Sequence, residues 1–132
     1  MPVLFSEGVT GGELTVNQFV AATSTNAAKL FGLYPKKGTI APGCDADIVV
    51  WKEEDWVVEQ EKLHHHADYT PYEGTVVHWK PEVVLSRGET LFAEHNKPSQ
   101  HAVAGRGEFM PRDKYDYIAP SGNFPTPFDP FA

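Results

Sequence analysis

Cysteine is almost missing from this 132-residue chain. Cys44 is the only one, so no internal disulfide can form and a reducing, cytoplasmic setting is expected. Positive charge is scarce as well: 11 Lys and Arg stand against 18 Asp and Glu, for a formal net charge of −7. An acidic surface does not track phosphates, which argues against a nucleic-acid partner. No apolar run approaches the roughly 20 residues of a membrane span. "MPVLFSEGV" has neither a basic leader nor a long apolar core, so it is not expected to be a signal peptide. Internal repeats are missing, and so are G-x-S-x-G, a P-loop, a Cys-His pairing and a strand-linked G-x-G-x-x-G. "AGRGEF" carries Gly105 and Gly107, but it follows a polar loop and opens no helix. The length suits one domain and falls short of the roughly 250 residues of a (β/α)₈ barrel.

What is present begins with helical patterning. Thr15 is placed to cap a helix whose Val16, Phe19, Val20 and Thr23 follow i, i+3, i+4, i+7 spacing. Ser24 or Thr25 can cap a second short helix, "NAAKLF", with Leu30 and Phe31 on its apolar side. Gly32 then stands where a left-handed C-cap is needed, and Pro35 blocks resumption. After Tyr34 the period shortens. A short extended piece is expected at Thr39 and Ile40, a turn at Pro42-Gly43, and a strand through Ile48, Val49, Val50 and Trp51. "TVVHW" (75–79) reads as a second strand, and "EVVLSRGETLFAE" as a hairpin turning at Arg87-Gly88. The tail "YIAPSGNFPTPFDPFA" has four prolines and three phenylalanines, too much proline for a helix or a central strand. The fold class is therefore mixed α+β with an extended C-terminal tail.

The groups that could carry chemistry are few. Asp45 and Asp47 are two apart at a strand entrance, so both face one side if the strand is regular. A metal would need further ligands nearby. Short acids at such a place more commonly accept hydrogen bonds from turn amides, and that role is expected for this pair. His64, His65 and His66 contain a formal H-x-H, which on a strand aligns two imidazoles. No further ligand stands at a recognisable spacing, so a solvated or interface loop is favoured over a metal site, and a small His-rich metal-binding module is kept as an alternative. His78, His95 and His101 are isolated. No catalytic, cofactor-binding or metal-binding residue is assigned from the residues themselves.

Several stretches resemble a known family when taken in order: "MPVLFSEGV", "STNAAKLFGLYPKKGTIAPGCDADIVVW", "YTPYEG", "VVLSRGETLF" and "GRGEFMPR". They are similar to the C-terminal region of the cyclic amidohydrolases, in particular the dihydropyrimidinase and D-hydantoinase group. The resemblance runs from Met1 to about Arg112 and is most specific in "KGTIAPGCDADIVVW". Ala27 stands where the family often has proline, and Cys44 where it often has serine; the Phe-Pro tail matches nothing in it.

The resemblance implies a parent enzyme with a (β/α)₈ barrel holding two metal ions, usually zinc, beside a small β-sandwich. There a metal-bridging hydroxide opens a cyclic amide. The family's ligands are an H-x-H, a carboxylated lysine, two later histidines and an aspartate, and none maps onto this chain. His64 and His66 do not match the family's H-x-H, which ends an apolar barrel strand. Residues 1–34 would then be the last barrel helices, 35–97 part of the sandwich and 98–132 an irregular arm. The implied role is structural and oligomerising, with partners in other copies or the barrel part, and no membrane. A non-catalytic relative, the collapsin-response mediator scaffolds, is the alternative that the resemblance leaves open.

Overall fold

The computed structural model describes residues 1–93, 97–100 and 102–112. The expected arm beyond 112, with Phe124, Phe128 and Phe131, lies outside the described residues, as do His95 and His101. A short helix α1 (Pro2–Leu4) opens the chain, with proline in its first turn, where a missing N–H costs nothing. It widens without a break into a π-helical stretch, Phe5–Thr10.

The next helix begins where the sequence predicts. Thr15 and Gln18 form a reciprocal capping box at the start of α2 (Val16–Val20): the Gln18 N–H donates to Thr15 Oγ1, and Gln18 Oε1 accepts from the Thr15 N–H at 2.8 Å. The expected second cap does not form. α2 runs through a π turn, Ala21–Thr25, into α3 (Asn26–Leu30), and Thr25 is itself helical with no side-chain cap bond. Its hydroxyl instead donates to the Gly38 carbonyl at 2.7 Å, and Thr23 donates to the Phe19 carbonyl at 2.7 Å. Ser and Thr that bond within or beyond a helix in this way leave it unbroken. α3 ends as expected. Gly32 takes φ +67, its N–H reaches the Lys29 carbonyl and the Leu33 N–H reaches the Ala28 carbonyl, which is a Schellman closure.

The described strands form one antiparallel sheet in the order β1-β2-β3-β4: β1 Ile48–Val57, β2 Val76–Ser86, β3 Glu89–Ala93 and β4 Lys97–Pro98. The mixed α+β expectation stands, with three corrections. Thr39 lies in a bend and Ile40 in irregular chain rather than in a strand. β1 continues six residues past Trp51, through "KEEDWV". The two segments expected at 75–79 and in the first hairpin arm are a single strand, β2, which carries Pro81 inside it. Proline is tolerated there because the register shifts between Val50 and Trp51, leaving Pro81 opposite Trp51 at a bulge.

The helical segment and the sheet meet around Phe5. Its ring lies 4.8 Å from Phe19, 4.9 Å from Trp79 and 5.3 Å from Trp51, the last pair stacked. Aromatic contacts of this kind add roughly 0.5–1.5 kcal/mol each beyond area burial. Polar tips are satisfied around the cluster: Trp79 Nε1 donates to Thr10 Oγ1 at 2.9 Å, and the His78 N–H donates to the buried Ser6 hydroxyl at 2.8 Å. The buried apolar set among the described residues is small: Phe5, Phe19, Ala28, Val58 and Val77.

Candidate functional site

The two aspartates of the β1 entrance come together with two lysines. Asp45 pairs with Lys36 Nζ at 2.6 Å and Lys37 Nζ at 2.8 Å, while Asp47 Oδ2 bonds Lys37. Hydrogen bonds from Lys36 and Lys37 hold the Asp45 carboxyl below the usual carboxylate range. Burial opposes the charge on Asp47, but Lys37 and the Arg87 N–H outweigh it and leave its pKa lowered too. The second oxygen of Asp47 accepts from the Arg87 N–H at 2.8 Å, and the Ala46 carbonyl accepts from the Gly88 N–H at 3.0 Å. Arg87 and Gly88 have φ of 50 and 81, the conformation of a two-residue hairpin turn that matches strand twist. Asp47 therefore frames a turn, but one forty residues downstream, while the carboxylate of Asp45 is held by the two lysines and not by a turn amide. That distant turn was beyond the reach of sequence spacing.

The glycines at 105 and 107 flank a strap across the same turn. Arg106 Nη2 donates to the Ser86 carbonyl at 3.1 Å and to Glu89 at 2.8 Å, and Arg87 Nη2 donates to the Arg106 carbonyl at 2.5 Å. "AGRGEF" thus braces the turn end of the β2–β3 hairpin. Arg106 was not singled out in the sequence, because a lone arginine in a glycine-rich stretch gives no spacing signal.

The histidine triplet lies in a run of bends after a 3₁₀ turn at Gln60–Lys62, not on a strand. His64 rests 5.1 Å from the Phe92 ring, and His65 Nδ1 accepts from the Ala67 N–H at 3.1 Å. His78 sits apart with its Nδ1 2.6 Å from Asp55. Ser6, His78 and Asp55 are near neighbours, yet the bond to Ser6 comes from the His78 backbone and not its ring, so they make no nucleophile–base pair. Among the described residues no group of three or more His, Cys, Asp or Glu is placed to hold a metal. Cys44 is half-buried and free.

A second charged cluster explains the length of β1. Glu54 lies between Lys52 at 2.8 Å and Lys80 on β2, and their hydrogen bonds pull its pKa down to about 2. Lys52 and Lys80 stand opposite each other in the ladder, so Glu54 neutralises a like-charge pair.

The amidohydrolase family model matches residues 3–91, which take in the helical segment but for Pro2, β1, β2 and most of β3. The chain belongs to the amidohydrolase family. This amidohydrolase chain is 45% identical over 116 residues to a dihydropyrimidinase of Rattus norvegicus, covering 87% of the chain and 22% of that protein. It is 46% identical over 117 residues to a D-hydantoinase of Geobacillus stearothermophilus, covering 86% of the chain and 24% of that protein. A crystal structure of a D-hydantoinase superposes with TM-score 0.76 at 44% identity over 86% of this chain and 24% of its own. The dihydropyrimidinase from Brevibacillus agri superposes with TM-score 0.69 at 47% identity, covering 72% of this chain and 21% of its own. The chain spans less than a quarter of the length of these two curated relatives.

Proposed function

We propose that this chain is the C-terminal part of a cyclic amidohydrolase acting on hydantoin- or dihydropyrimidine-type rings, with a structural and assembly role. The parent reaction adds water across a cyclic amide carbonyl and breaks its C–N bond. The observation that carries the reading is the coverage: 84–87% of the chain aligns at 44–46% identity to dihydropyrimidinases and a D-hydantoinase, while accounting for only 21–24% of each. Amidohydrolases generally use metal ions, with a two-zinc centre expected in this parent. The described residues do not fit such a centre, since no three ligand-type side chains converge on one point. No step of the hydrolysis is assigned to them.

The surfaces left open support a docking role. Val16, Val20, Leu30 and Phe31 of the helical segment are large, apolar and roughly half exposed, between 47% and 60%. β1 is an edge strand among the described residues, bonded to β2 on one side only. In this reading residues 1–34 close the parent's barrel, 35–97 belong to its sandwich, and the free faces receive the barrel part or another copy. A reducing cytoplasm belongs to the same reading, in keeping with the free Cys44.

The test is complementation. A D-hydantoinase truncated of its matching segment is mixed with purified residues 1–132, and hydantoin opening is followed with zinc or manganese present. The chain alone is expected to be silent and the mixture active. Turnover by the chain alone that survives removal of host enzyme overturns the reading, as does a mixture that forms no complex.

A further inference from the structure

We draw no further inference here: the strongest candidate, the open cleft of about 830 Å³ lined by Trp56, Leu63, His64, Lys52 and Lys80, has its two strand lysines already paired with Glu54, and nothing in the structure shows what covers it.

Discussion

Asp47 accepts the Arg87 N–H at 2.8 Å across forty residues of chain, and so fixes a hairpin turn whose first residue has a positive φ without being glycine. A left-handed residue other than glycine costs roughly 1–2 kcal/mol, and the carboxylate offsets it by satisfying the amide that this geometry presents. The same side chain holds Lys37, so one residue ties the loop after α3 to the far end of β2.

Asp47→Ala removes both contacts and is expected to lower stability by about 1–2 kcal/mol, since the turn amide loses its partner. Asp47→Asn keeps an acceptor for Arg87 and gives up only the ion pair with Lys37, so it is expected to cost less than about 1 kcal/mol. Urea unfolding of the two variants separates them. Equal losses would show that the ion pair, and not the turn bond, is what matters.

Stability is expected to fall in acid over a defined window. Glu54 drops from its ordinary 4.5 to about 2 when folded, and Asp45 and Asp47 are also lowered. A depressed folded pKa means that the unfolded chain binds more protons, so the contribution is complete above about pH 4.5 and is lost towards pH 2. Thermal midpoints measured from pH 6 to 2 should decline through that window, less steeply in Glu54→Gln. A wild-type midpoint that holds level down to pH 2 contradicts the assignment.

The triplet His64, His65 and His66 is expected to be dispensable for folding. Changing all three to Ala should shift stability by no more than about 0.5 kcal/mol per site, because they lie in bends outside the buried set. Calorimetry and elemental analysis of both forms decide it. A collapsed transition, or a metal bound stoichiometrically by the wild type and lost in the variant, would reinstate a metal site.

Association is expected in the isolated chain through its helical face. Val16 and Leu30 are each 53% exposed and Phe31 is 60% exposed, and covering such a patch calls for an interface of about 800 Å² per subunit. The β1 edge is a poorer seam, because Lys52, Glu53, Glu54 and Asp55 stand in its middle beside a register shift. Light scattering should report an oligomer at micromolar concentration, weakened by Val16→Glu combined with Phe31→Glu. A monomer, or an oligomer indifferent to that pair of substitutions, rules the expectation out.

The sequence alone determined the local features that depend on near neighbours. The Thr15 cap, the Gly32 closure and the Arg87-Gly88 turn each rest on a few adjacent residues whose stereochemistry admits little else. The family was legible too, because "KGTIAPGCDADIVVW" is long and specific. Tertiary structure decided the rest. The strand expected through Trp51 takes in "KEEDWV" once Lys80 comes alongside Glu54, and "VVHWKPEVVLS" reads as two strands until a bulge accommodates Pro81. Thr25 passes for a helix cap until Gly38 arrives to take its hydroxyl. The partners of Asp47 and Arg106 are likewise set by which turn lies beside them and not by spacing. Charge neutralisation, ladder register and side-chain bonding all depend on groups far apart in the chain, and only folding brings them within a few ångströms.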